Sequence, residues 1–185
     1  MVSIQPVSRD RHQSKHWLRF ENYQFAREEV IAPVVLAELP KAMHSFPIGF
    51  IQENDEFVPV ALLGLAKGRN LYVGPDGKWI GGYVPASLRG YPFRIGDTGE
   101  GNLILCVDED SGLITDGPEG EPFFAEDGSL AEPTAKILDF LGQTYQNRAA
   151  TQAVCKVLAG KGLIVPWPVT LKSEDGERTL DGLHR

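Results

Sequence analysis

A chain of 185 residues, 42% hydrophobic and 23% charged, can bury one substantial core, as a single domain with or without a helical appendage. Its net charge of −7 argues against nucleic acid as the main partner, because no basic run is present to neutralise phosphates. The longest apolar runs, residues 30–39 and 57–66, are about half the ~20 residues a bilayer crossing requires, so no membrane insertion is expected.

The first residues carry no apolar stretch of the signal-peptide kind, and a soluble, cytoplasmic protein is expected. Cys106 and Cys155 each sit in an apolar run and match neither a disulfide framework nor a zinc pattern, so both read as buried thiols.

In chain order, residues 1–28 space Trp17, Phe20, Tyr23 and Phe25 almost alternately, as in a lead-in strand or extended arm. His12 and His16 are four apart and would share a metal on a helix, but no third ligand stands at matching spacing. Residues 30–38 are apolar around Pro33, which excludes a central strand and points to an edge. Residues 46–52 and 56–65 flank the polar turn Glu53-Asn54-Asp55 and predict a hairpin. Residues 70–73 lead into the turn Gly74-Pro75-Asp76-Gly77, and 78–81 return from it. Pro85 suits the first position of one helical turn. Residues 91–95 and 102–108 predict two more strands, the second central; an acidic, glycine-rich stretch follows to Asp127.

Residues 132–160 form the helical part, with Pro133 at its start and Gly160 and Gly162 at its end. At 100° per residue from Ile137, Leu138, Leu141 and Tyr145 fall between about 0° and 100°. Ala150, Val154, Val157 and Leu158 fall between about 200° and 300°, on the opposite side. Either the helix breaks near Gln146-Asn147-Arg148, or one rod packs on different partners along its length. The pattern favours two helices. After them, residues 163–168 return to extended chain, and the polar tail ends in apolar Leu180 and Leu183 with nothing following to pack on them.

Three constellations are chemically suggestive. Asp108-Glu109-Asp110 ends a strand; Asp108 and Asp110, held close, suit an acid/base pair or a divalent cation, whereas the following Ser111-Gly112 suits a solvated turn. Arg69, Asn70 and Arg89 lie near Trp79 and Tyr83, a set that suits a pocket for an anionic or aromatic ligand, or core aromatics with arginines paired to the acidic loop. Asn147 and Arg148, with Thr151 and Gln152, give the helical part a polar patch for a partner or for bonding to sheet-edge backbone. No Walker loop, GxSxG or HExxH is present, so no catalytic residue and no cofactor is assigned.

An ordered series of segments carries a resemblance: Phe46-Pro47-Ile48, Val60-Ala61-Leu62-Leu63-Gly64-Leu65, Arg69-Asn70-Leu71-Tyr72-Val73, Tyr83-Val84-Pro85-Ala86, Leu88-Arg89, Tyr91-Pro92-Phe93 and residues 106–113. Asn147-Arg148, Thr151-Gln152, Cys155 and Pro166-Trp167 extend it. The chain in this respect resembles the SapC family of bacterial proteins. The resemblance implies an accessory role in a bacterial uptake, modification or surface-layer-related pathway, and it brings no catalytic residue. It also implies a further helical segment beyond residue 185, so that this chain reads as truncated.

The expected fold is α+β: an antiparallel sheet of about five to seven strands with a C-terminal helical pair. Residues 1–45 read as an arm and edge segment, 46–131 as the β-rich core, 132–162 as the helical part and 163–185 as an extended tail. The expected function is non-catalytic recognition of a protein or peptide partner through the aromatic and arginine-bearing region. The alternatives are a small-molecule-binding or modifying enzyme acting with neighbouring oxygenases or halogenases, with Tyr83, Arg89, Asp108 and Asp110 around one cavity, and a surface-layer component. Self-association is compatible with each.

Overall fold

A computed structural model describes residues 3–97, 99, 102–173 and 176–185. In chain order, the elements are β1 (Ile4–Pro6), α1 (Arg9–His12), β2 (His16–Trp17), β3 (Ile31–Pro33), α2 (Leu39–Ala42), β4 (Ile48–Glu53) and β5 (Glu56–Leu62). They continue with α3 (Ala86–Arg89), β6 (Phe93–Asp97), β7 (Leu103–Asp108), β8 (Ile114–Thr115), β9 (Glu121–Pro122), α4 (Glu132–Gly160), β10 (Val169–Ser173) and β11 (Gly176–Leu180). The chain divides into two compact units, Met1–Glu21 with Gly90–Tyr145, and Asn22–Arg89 with Gln146–Arg185.

The fold is α+β, and all strand pairings among the described residues are antiparallel. The expected five-to-seven-stranded sheet is not what forms. Among the described residues the strands divide into three sheets of three strands and one of two. Glycine and proline explain the division, since between β5 and β6 they recur too often for a continuous ladder. Residues 70–73 and 78–81 pair only through the bridge Val73↔Trp79. Gly64 is required there: a Cβ at this position would collide with the Arg69 carbonyl oxygen.

In the first unit β7 is central, as its LILCV run predicts, flanked by β1 and β6 in the order β1-β7-β6. Trp17, Phe93, Leu105, Val107, Phe123 and Leu141 form the core. Trp17 meets Phe93 edge-on, with centroids 5.0 Å apart. Its indole N–H donates to Thr134 Oγ1 at 2.9 Å, and that hydroxyl donates to the Pro122 carbonyl at 3.0 Å, so the buried polar atoms are satisfied. His12 ends α1 whereas His16 lies in β2, so the two are not a helical i,i+4 pair.

In the second unit β5 is central in the order β3-β5-β4. Pro33 lies in the edge strand, where a missing N–H costs no ladder bond. The β4–β5 hairpin turns through Asn54 and Asp55 at φ 48° and 63°, the paired positive values a tight hairpin turn requires. Ala32, Val34, Phe46, Ala61 and Leu63 are buried in one cluster. Val60, Leu62 and Leu183 are buried in another, with Trp167 and Leu180 packed against it. The terminal apolar residues therefore do find partners. The backbones of His184 and Phe50 exchange hydrogen bonds of 2.8 Å, and Trp167 N–H donates to the Leu183 carbonyl.

Residues 132–160 form one helix, α4, and not a pair. After Pro133 it contains no proline, and Gly142 tolerates continuation. The buried positions Thr134, Leu141, Thr151 and Cys155 lie within about 60° of Ile137, one stripe along the whole rod. Ala150, Val154 and Val157, the apolar residues that pointed to a break, are exposed, Val157 by 58%. Threonine and cysteine occupy positions where hydrophobic periodicity expects aliphatic residues, which disguises the stripe. No helix among the described residues is long and apolar enough to cross a membrane.

Candidate functional site

The second unit gathers Trp79, Tyr83 and Arg89 around a residue that the sequence reading passed over, Glu38. Glu38 follows the apolar run Val34-Val35-Leu36-Ala37 and immediately precedes α2. It is 5% exposed, and its carboxylate takes three donors. Val35 N–H donates to Oε1 at 2.9 Å; Ala86 N–H and the Tyr83 hydroxyl donate to Oε2 at 2.8 and 2.9 Å. Three hydrogen bonds are what a buried carboxylate needs to remain stable. They also ground α3, whose first residue is Ala86. A lone acid in an apolar run, just before Leu39-Pro40, was the only signal in the sequence.

Arg89 Nη2 donates to the Tyr83 hydroxyl at 3.1 Å, and the guanidinium lies 5.5 Å from the Tyr83 ring centroid. Burial, followed by the hydrogen bond to Glu38, raises the Tyr83 phenol above its ordinary pKa. The hydroxyl therefore stays protonated at neutral pH and serves as a donor to the carboxylate. Trp79 is pinned by its indole N–H, which donates to the Tyr83 carbonyl at 2.7 Å. Its ring stacks on Tyr72, centroids 5.7 Å apart at 19°. Phe46 meets Tyr72, Trp79 and Tyr83 edge-on, so these aromatics pack together in one cluster. On the ribbon formed by residues 71–80, Ile80 is 68% exposed and Leu71 is 48% exposed.

Asn70 is buried and acts on backbone. Its Nδ2 donates to the Ala26 carbonyl and its Oδ1 accepts from Tyr72 N–H, both at 2.9 Å. Arg69 is exposed and closes the turn from Ala66, where Gly68 has φ 75°. Asn147 and Arg148 lie on α4, the first half-buried and the second exposed. Next to them, the Thr151 hydroxyl donates to the Asn147 carbonyl and accepts from Leu36 N–H at 3.1 Å. Gln152 Nε2 donates to Glu56 Oε2 at 2.9 Å.

Asp108 and Asp110 belong to the first unit. Asp108 Oδ1 accepts from Ser3 N–H and Asp110 N–H, each at 3.1 Å, and so caps the short 3-10 turn Glu109–Ser111. Glu109 between them is held by Arg11, whose Nη2 donates to Oε2 at 2.6 Å. His12 Nε2 stands 3.2 Å from Glu109 Oε1 without hydrogen-bond alignment. No group of three His, Cys, Asp or Glu residues among those described is arranged to hold a metal ion. Both cysteines are buried, and burial raises their thiols above the ordinary pKa, the opposite of a reactive thiolate.

A family model described as SapC matches residues 7–185, essentially the whole chain. No curated protein and no solved structure matches it.

Proposed function

The chain belongs to the SapC family, and within it we propose a non-catalytic accessory protein that recognises a protein or peptide partner through the ribbon of residues 71–80 and the adjoining Arg89. One observation supports this reading above the others. The ionisable side chain at the centre of the cluster, Glu38, directs its lone pairs at three internal donors, whereas Leu71 and Ile80, next in sequence to Tyr72 and Trp79, remain exposed. A base committed to fold-internal bonds is poorly placed to take a substrate proton. Exposed apolar residues on a fixed platform beside an arginine have the composition of a recognition surface. The reading is of a cytoplasmic protein in the uptake, modification or surface-layer setting that the family resemblance suggests.

The test compares wild type with Ile80→Glu as bait in extracts of the source organism, with direct binding of the recovered partner measured by calorimetry. Ile80 is exposed, so the substitution leaves the fold unchanged in circular dichroism. A partner that binds wild type and binds Ile80→Glu at least about tenfold more weakly supports the reading. A partner indifferent to the change places recognition elsewhere. Turnover of a substrate that is lost in Arg89→Ala would replace the reading with an enzyme.

A further inference from the structure

Within the second unit, the last turns of α4 bury Thr151 and Cys155 and leave Ala150, Ala153, Val154 and Val157 exposed. Leu163 extends this face. Gly162, at φ 67°, lets the chain fold back: its N–H donates to the Ala159 carbonyl and Leu163 N–H donates to the Leu158 carbonyl, both at 2.9 Å. Leu163 is thereby returned to the final turn of the helix, 60% exposed, where Val157 is 58% exposed. At 100° per residue from Ile137, Ala153, Val157 and Ala150 fall at about 160°, 200° and 220°, between Lys156 at about 100° and Lys161 at about 240°. Lys161 lies one residue past the helix, yet its N–H still donates to the Val157 carbonyl at 3.2 Å, so the geometry continues through it. Ala150, Ala153 and Val157 follow at intervals of three and four residues, the spacing with which one helix packs along another.

The charge of this face identifies what fits it. In a chain of net charge −7, no Asp or Glu occurs from Phe140 to Ser173, whereas Arg148, Lys156, Lys161 and Lys172 do. Lys156 meets Glu56 at 3.1 Å and stays 75% exposed, and Lys161 makes no ion pair among the described residues. A second copy of the chain is a poor occupant. A parallel pair would set Lys156 against Lys161, and an antiparallel pair would set each lysine against its own counterpart, so like charges meet in both. A lipid surface fits little better, because the exposed apolar side chains are alanine, valine and one leucine, without the Trp and Phe of helices that enter a bilayer interface. A helix with carboxylates on both sides of an apolar seam meets attraction along each flank.

We propose that the outer face of α4 from Ala150 to Lys161, with Leu163, docks an amphipathic helix of another protein, apolar along its seam and acidic on both flanks. The surface is independent of the ribbon proposed for partner recognition, and neither requires the other.

The probes are synthetic helical peptides of about three heptads that share a leucine seam and carry glutamate, glutamine or lysine at the flanking positions. Each is titrated into the full chain at low salt and followed by fluorescence anisotropy. Saturable 1:1 binding of the glutamate peptide is expected, about tenfold tighter than that of the glutamine peptide and weakened by added salt, with the lysine peptide weakest. Val157→Gln is expected to weaken the glutamate and glutamine peptides alike. Lys161→Glu is expected to weaken the glutamate peptide about tenfold and to leave the glutamine peptide unchanged. Both positions are exposed, and thermal melts establish that both variants are folded. Absence of saturable binding of the glutamate peptide to folded wild type, or equal binding of the three peptides, overturns the proposal. Binding to phosphatidylglycerol vesicles, or a dimer in sedimentation velocity, that Val157→Gln abolishes would give the face to a lipid surface or to a second copy and overturn it as well.

Discussion

The Tyr83 hydroxyl donates to Glu38 Oε2 at 2.9 Å across 45 residues of sequence, and the same carboxylate oxygen accepts from the Ala86 backbone. The bond fixes the side chain that carries Arg89, and with it one boundary of the surface proposed for recognition.

Removing either member has separable consequences. Tyr83→Phe deletes one of three bonds to a buried carboxylate and is expected to cost about 1–2 kcal/mol. Glu38→Ala leaves the Val35 and Ala86 N–H groups unpaired, at about 1–3 kcal/mol for each, and is expected to cost about 3 kcal/mol or more. Urea unfolding at neutral pH measures both. Equal, small losses would contradict Glu38 as the organising group.

Acid should weaken the first unit in two steps. Burial holds His12 below its ordinary 6.5, with Arg11 and Lys15 acting in the same direction and the Ser8 hydrogen bond and Glu109 opposing. Below that value the unfolded chain takes up a proton that the folded chain refuses, so stability falls as pH drops through this window. The Arg11 hydrogen bond holds Glu109 below its ordinary 4.5, so its contribution is present above that value and is lost as pH falls through the depressed one. His12→Asn keeps an acceptor for the Ser8 N–H and should flatten the loss between about pH 7 and 5. Unfolding curves across that range provide the check, and an unchanged slope in the variant would contradict the assignment.

Thr134→Val conserves shape and leaves two partners unpaired, the buried Trp17 N–H and the half-buried Pro122 carbonyl. The expected loss is about 2–3 kcal/mol by chemical denaturation, larger than the sub-kilocalorie change of an exposed threonine. Trp17 fluorescence should change in the same variant.

Local chemistry was legible in the sequence. Pro33 specified an edge, the Asn54-Asp55 turn a hairpin, Gly74–Gly77 a reversal, and the run from Leu103 a central strand; the structure has all four. Long-range pairing was not legible. Ile4 pairs with Asp108, and nothing in either three- or six-residue strand names the other. The single sheet of five to seven strands was therefore too large an expectation, since strand signals do not carry their partners. The helix misled for a different reason: Val154 and Val157 are exposed while Thr151 and Cys155 are buried, so hydrophobic periodicity followed the wrong face. Glu38 escaped because a carboxylate's partners, unlike its hydrophobic neighbours, are invisible until Tyr83 and Ala86 arrive from far along the chain.

The most direct measurement is amide hydrogen exchange on the full chain with and without the partner recovered by the wild-type bait. Recognition through the aromatic ribbon predicts new protection concentrated at residues 71–80 and around Arg89, with strands β10 and β11 unchanged. Protection confined to other segments, or none on the ribbon at saturating partner, would contradict the account.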